Sequence, residues 1–227
     1  MKIALIVFTR NERKNSEKTF PSVSKKIVDA IYVIDGNSTD GTQEFYKKRR
    51  IKIFGQTHRG VGGAYESAFA NTKEDALIFW HPDGNMSTED IKLFVKLLRE
   101  GKDFIVASRM IKGSFNEEDN QLFKPRKWFN IGLAIVCNFL WGRNGNHATD
   151  VVQGFRAITR KAWKKMKIKI PDAIAPDLEE IIRALKYNVQ ITEFPTKEGY
   201  RIHGNTSMTS FKTGRENLKI LFREIFS

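Results

Sequence analysis

A chain of 227 residues, 41% hydrophobic and 29% charged, has the make-up of a globular protein with room for one large core, which excludes a fibrous or disordered chain. Its 39 Lys and Arg outweigh 26 Asp and Glu, and the formal charge of +13 draws anions: nucleic acid, an anionic membrane surface or phosphorylated small molecules. The single cysteine, Cys137, excludes a disulfide framework and a thiolate metal cluster and fits a reducing compartment.

The first half alternates short apolar runs with segments of helical character. The runs are IALIVF (3–8), IYVID (31–35), IKIF (51–54), ALIFW (76–80) and DFIVAS (103–108). The first is shorter than a secretory apolar region and leads straight into TRNERK, so no signal peptide is expected. Between the last two runs, STEDIKLFVKLLREG (87–101) places Ile91, Phe94, Val95 and Leu98 on one helical stripe. Ser87 and Asp90 are spaced as a capping box. Alternating strand and helix predicts a mostly parallel, Rossmann-like α/β sheet with helices on both faces.

The second half is less regular. KGSFNEEDNQLFKPR (112–126) reads as a surface loop, and residues 128–141 as an apolar helix whose expected place is the core. Its apolar segment, 131–141, is far too short to span a bilayer, so any membrane attachment is expected to be peripheral. GRNGNHATD (142–150) reads as a loop, GFRAIT (154–159) as a strand, PDLEEIIRALKYN (176–188) as a helix and VQITEF (189–194) as a strand. The Gly-, Ser- and Thr-rich end, YRIHGNTSMTSFKTGREN (200–217), has the character of a lid. Without repeats or linkers, the chain is expected to be one domain, 1–227, with a regular half (about 1–110) and a less regular half (about 111–227).

In an open parallel sheet, ligands bind beyond the carboxyl ends of the strands. Thr9, Asn11 and Glu12 stand there after the first run and Asp35 after the second. His81, Asp83 and Asn85 follow the fourth, and Ser108 and Arg109 close the fifth. Asp83 has the strongest claim, since Mg²⁺ takes one or two carboxylates plus substrate phosphates. His81 and Asn85 stand on its side of an extended segment, and such a mixed donor set suits Mn²⁺. Gly60, Gly62 and Gly63 precede a helix, where backbone approaches a ligand closely and negative charge is favoured. Asp35 is either a helix cap or an acceptor for a base or ribose.

Seven motifs in order, Asn11-Glu12, IDGNSTDGT (34–42), RGVGGAYESAF (59–69), HPDGN (81–85), FIVASRM (104–110), GFRAIT and ITEFP…YRIHGNTS, resemble those of the family 2 inverting glycosyltransferases. The nearest subgroup is the dolichyl- or polyprenyl-phosphate hexose synthases. The resemblance runs from Ile3 to about Gly214 and implies a GT-A fold binding a GDP- or UDP-linked sugar. It implies that Asn11, Glu12 and Asp35 hold the nucleoside and that the strand end at Asp83 holds Mn²⁺ or Mg²⁺ and the diphosphate. Arg109, Arg126, Arg156 and Arg201 become candidates for phosphate contacts, which a planar guanidinium makes bidentately.

Three positions depart from the family pattern. Its acidic pair in the second strand is Asp35-Gly36, its D-x-D is His81-Pro82-Asp83, and its G-x-S-K is Gly204-Asn205-Thr206-Ser207. A phosphate acceptor needs no general base, whereas a glycan hydroxyl does, and Asp177, Glu179 and Glu180 are the candidates. If none serves, these acids form an exposed first helical turn. The basic charge fits docking on an anionic membrane, on its cytoplasmic face. No recognition helix, zinc finger or aromatic RNA-binding motif accompanies that charge, so no nucleic-acid partner is expected.

Overall fold

The computed structural model describes residues 1–168, 176–204 and 210–227. Its centre is a seven-stranded sheet: β1 (Ile3–Thr9), β2 (Ala30–Asp35), β3 (Lys52–Gly55), β4 (Ala76–Trp80), β5 (Phe104–Ser108), β6 (Arg156–Thr159) and β7 (Ile191–Pro195). The order is β3-β2-β1-β4-β6-β5-β7. β6 runs antiparallel to both β4 and β5, and every other pairing is parallel. Six strands therefore end on one edge. The only reversed strand comes from the second half of the chain and lies between β4 and β5, so both halves share one sheet.

The strands bury apolar side chains on both faces, as a covered sheet must. Along β1, Ala4, Ile6 and Phe8 join one core cluster, and Ile3, Leu5 and Val7 join the other. That alternation is the two-residue period of a strand. The first cluster is closed by α3 (Gly60–Asn71), α5 (Pro125–Trp141), α6 (Arg160–Met166), α7 (Asp177–Lys186) and α8 (Ser210–Ile225). The second is closed by α2 (Thr42–Lys47) and α4 (Asp90–Arg99), while α1 (Arg13–Thr19) packs beside α2. The α4 stripe of Ile91, Phe94, Val95 and Leu98 is buried as its spacing predicts, each side chain contributing roughly 1.5–3 kcal/mol.

Three local expectations are corrected. The capping box does not form: Ser87 Oγ accepts from the Glu89 N–H at 3.3 Å, while the Asp90 carboxylate accepts from Thr196 Oγ1 at 2.5 Å. A tertiary partner beyond β7 wins over the local one. The helix at 125–141 is only half in the core, burying Leu133, Ala134 and Cys137 and exposing Ile135 and Phe139. The lid-like end carries α8, whose Ile220 and Leu221 are buried. Its polar first turns masked a helical period that begins at Phe211.

Candidate active site

The β1 and β2 ends are joined through Asp35. Its carboxylate accepts from Thr9 Oγ1 (2.8 Å), the Ser38 N–H (2.9 Å), Ser38 Oγ (2.6 Å) and Gln43 Nε2 (2.7 Å). Asp35 is buried and its bonding capacity is taken up. It therefore shapes the 36–41 turn. Thr9, also buried, is one of its donors. Asn11, at φ +56°, makes the next link: its N–H donates to Ser38 Oγ (2.9 Å) and its Oδ1 accepts from the Thr39 N–H (2.8 Å). Asn is among the few L-residues that adopt this left-handed conformation readily.

Glu12 and Asp83 meet through Arg201. One guanidinium nitrogen pairs with Glu12 Oε1 and another with Asp83 Oδ2 at 3.1 Å, while Nε donates to the His203 carbonyl at 3.0 Å. Glu12 is further held by Asn15 Nδ2 at 2.5 Å, and Asn15 also reaches the His203 carbonyl at 3.1 Å. The 199–202 segment is pinned under the β4 end by backbone bonds, Gly199 N–H to Asn85 O and Ile202 N–H to Asp83 O, both 2.9 Å. Gly84 sits at φ +98°, and a Cβ there would strike Ile202. The turn closes against the segment only with glycine at this position.

The chain turns after Trp80, so His81, Asp83 and Asn85 do not stand on one side of an extended segment as expected. Among the described residues, no three His, Cys, Asp or Glu side chains converge as a metal cage. The His81 ring instead lies edge-on to Phe8, 5.5 Å between centroids. What remains near Asp83 is the Asn85 Oδ1, buried and without a hydrogen-bond partner. An orphan acceptor costs about 1–3 kcal/mol. One carboxylate and one amide oxygen fit a hard cation that completes its shell from phosphates, not a closed protein site.

The other arginines are not gathered here. Arg109 binds Asp150 through Nε (2.8 Å) and Nη2 (3.0 Å) and Glu198 through Nη1 (2.8 Å). Burial would raise the Asp150 carboxyl, but Arg109 overrides it and holds it below the usual range. Arg126 is taken by Glu117 and Glu118. Arg156, fully buried, donates to Glu180 Oε2 at 2.7 Å and lies 3.5 Å from Asp177 Oδ1. Arg109 and Arg156 tie the fold together rather than presenting free cations to a ligand, and their partners are remote in sequence. Arg126 is half exposed and pairs with acids of the preceding loop.

Asp177, Glu179 and Glu180 are buried, not the exposed first turn that was the alternative. Tyr65 Oη donates to Asp177 Oδ1 at 3.4 Å. Burial pushes the Glu180 carboxyl up to about 8, against the pull of Arg156. Gly154, which sequence reasoning passed over, lies beside them. A Cβ at that position would stand 3.6 Å from Asp177 Oδ1 and 4.0 Å from His81 Nε2. His81 and Asp177 therefore come close together across Gly154. Gly60 and Gly62 begin α3 beyond β3, and their loop is held by Gln56, which reaches the Gly60 carbonyl. Gln56 Oε1 also lies 3.3 Å from a Cβ on Gly36. The family's lysine position, aligned with Ser207, lies outside the described residues.

A mostly parallel sheet with its carboxylates at the strand ends is the architecture of the GT-A glycosyltransferases. Superposed on the crystal structure of glucosyl-3-phosphoglycerate synthase from Mycobacterium tuberculosis in complex with Mn²⁺, UDP and glucosyl-3-phosphoglycerate, the chain gives a TM-score of 0.72 at 17% identity, over 98% of this chain and 79% of that one. The chain belongs to glycosyl transferase family 2, whose family model matches residues 4–166. An uncharacterised protein of Methanocaldococcus jannaschii is 31% identical over 98% of this chain and 90% of its own length. A dolichol-phosphate mannosyltransferase of Pyrococcus furiosus is 26% identical over 98% of this chain, which spans 63% of that enzyme.

Proposed function

We propose that the protein transfers a hexose from a GDP- or UDP-linked sugar to a polyprenyl- or dolichyl-phosphate-type acceptor, inverting the anomeric centre, at an anionic membrane surface. The observation that carries this is Arg201 spanning Glu12 and Asp83 where β1 and β4 end. A guanidinium and a carboxylate in one place suit a diphosphate that arrives with its own cation. The name of the Pyrococcus relative supports the acceptor class, the Mn²⁺ and UDP of the mycobacterial structure support the donor side, and the +13 charge suits an anionic surface. No described helix is long and apolar enough to cross a membrane.

Asp83 and the Asn85 amide oxygen are the residues to hold Mn²⁺ or Mg²⁺, with His81 at the rim. The cation, when bound, supplies charge stabilisation on the departing nucleoside diphosphate. Arg201, released from Asp83, carries the rest of that charge. An acceptor phosphate oxygen attacks the anomeric carbon from the face opposite the diphosphate. The new C–O bond forms as the old one breaks, and the electron pair leaves on the diphosphate. Glu12 holds Arg201 in range, and Asn11 with the Asp35 loop walls the nucleoside end. The α3 start at Gly60 and Gly62 lies beside that wall.

Thermal unfolding with UDP and with GDP, each with and without Mn²⁺ or Mg²⁺, tests the reading. A ligand at 100 times its Kd stabilises by about 2.7 kcal/mol. One diphosphate should stabilise in a metal-dependent way, and Asp83→Ala should erase the metal-dependent part. No shift under any combination refutes the donor site. A second reading, a glycan hydroxyl acceptor, has one observation in its favour: Asp177 stands near His81, across Gly154. Asp177→Asn should abolish transfer to a hydroxyl while leaving transfer to a phosphate.

A further inference from the structure

Apolar side chains on this molecule are exposed in one region. Among the described residues, seventeen large hydrophobics are exposed, and all but Met1, Tyr200 and Ile202 lie on residues 122–140 or on α8 and the residue after it. Scattered apolar residues need no explanation, but a concentration of this kind marks an interface. On α5, Ile131, Ile135 and Phe139 recur every fourth residue along the outer face, with Phe139 86% exposed. On α8, Phe211, Leu218, Phe222 and Ile225 share one exposed stripe, while the opposite side buries Asn217 and Glu224 together with Ile220 and Leu221.

This orientation is enforced. Glu224 is held by Arg183 Nη2 at 2.8 Å and by Lys186 Nζ at 3.1 Å, both from α7. Turning α8 over to hide its phenylalanines would break that network. The two helices come near each other at Gly214, where an added Cβ would stand 3.9 Å from the Phe129 ring. Phe123, in the turn before α5, stacks edge-on against Trp128 at 5.0 Å. The patch is thus continuous across α5, its preceding turn and α8.

Charge identifies the occupant. Lys124, Arg126 and Lys127 at the start of α5 pair with Glu117, Glu118 and Asp119, so the cationic edge belongs to α8. There Lys212, Arg215, Lys219 and Arg223 are exposed along one flank of the apolar stripe, Lys219 paired with Glu216 and Arg223 with Glu179 and Glu224. An apolar face edged by Lys and Arg is the pattern of a helix lying in the headgroup region of an anionic bilayer. The helix that carries half of the patch is tied to the strand-end edge: on its buried side Asn130 donates to Asp150 at 2.7 Å, and Asp150 holds Arg109 beyond the end of β5.

We propose that α5 and α8, with the Leu122-Phe123 turn, form a monotopic docking face. It seats this enzyme on an anionic bilayer, apolar stripe below the headgroups and strand-end cleft beside them. The surface serves the lipid-linked acceptor of the proposed function and rests on that reading for its purpose. Its physics does not depend on the donor.

Flotation of the full chain with phosphatidylcholine vesicles, with and without phosphatidylglycerol, tests the face. The wild type should float with the anionic vesicles and much less with neutral ones. Ile135→Glu/Phe139→Glu should cut partition more than tenfold, and each of Lys212→Glu and Arg215→Glu about fivefold or more. All variants should keep the stabilisation given by nucleotide and metal. A wild type that binds nucleotide with metal but ignores anionic vesicles overturns the docking face alone. A wild type that floats but binds no nucleotide sinks the transferase reading and leaves the face standing. A dimer in solution that Phe139→Glu dissociates, with no vesicle binding, assigns the patch to a second copy and overturns the proposal.

Discussion

Replacing Arg201 with Met separates two roles that the structure gives to one guanidinium. In the free protein Arg201 neutralises Asp83 at 3.1 Å and Glu12 beside it, in a pair that is partly open to water. An ion pair with this much solvent contact is worth about 0.2–1 kcal/mol. A metal ion approaching Asp83 must displace it, so Arg201→Met should tighten Mn²⁺ binding alone by up to about fivefold. With diphosphate bound, the same side chain donates to phosphate oxygens, and a charged hydrogen bond of that kind contributes about 1.5–3 kcal/mol. Its loss should weaken the diphosphate about ten- to hundredfold in the presence of metal. Free Mn²⁺ is counted directly by electron paramagnetic resonance, and nucleotide affinity by calorimetry at saturating metal. Opposite signs in the two titrations are the expected result. If Mn²⁺ alone binds more weakly, or the diphosphate binds unchanged, Arg201 is a structural strap and the reasoning fails.

Two further substitutions probe the buried acids. Between its ordinary value of 4.5 and about 8, Glu180 stays protonated in the folded chain but ionises in the unfolded one, so its contribution to stability falls as pH rises through that window. Glu180→Gln should remove this slope, so that urea unfolding at pH 5.5 and 8.5 shows the wild type losing a few kcal/mol more than the variant, on the order expected from about 1.4 kcal/mol per pH unit. Equal losses would mean that Glu180 is ionised throughout. A methyl on Gly154 meets Asp177 and His81 at ordinary contact distance. Gly154→Ala should therefore keep its Tm within a few degrees, whereas Gly154→Leu crowds Asp177 and His81 and should abolish transfer while nucleotide with metal still stabilises the fold. Full activity in the leucine variant would remove these two residues from the acceptor path.

Strand and helix order, the α4 stripe and the row of polar residues at the strand ends are legible in the sequence because each depends on neighbours within a few positions. Period-two and period-3.6 patterns and a stop in hydrophobicity are local facts, and the carboxyl-edge rule turns them into a site. The motif order that points to family 2 is likewise linear. Tertiary structure alone decided which charges are free. Arg109, Arg126 and Arg156 look like phosphate ligands in a linear text, yet each is consumed by acids that the fold brings from 8 to 89 positions away. Arg201 is equally ordinary in sequence and becomes central because 199–202 is laid under the β4 turn. The same holds for α5 and α8. Linear reading makes α5 a core helix and the start of α8 a lid, whereas the ion network between α7 and Glu224, with Ile220 and Leu221 buried beside it, determines which face of α8 is turned inward. A buried charge must keep its partner at a cost of several kcal/mol, and that requirement leaves the phenylalanines outside.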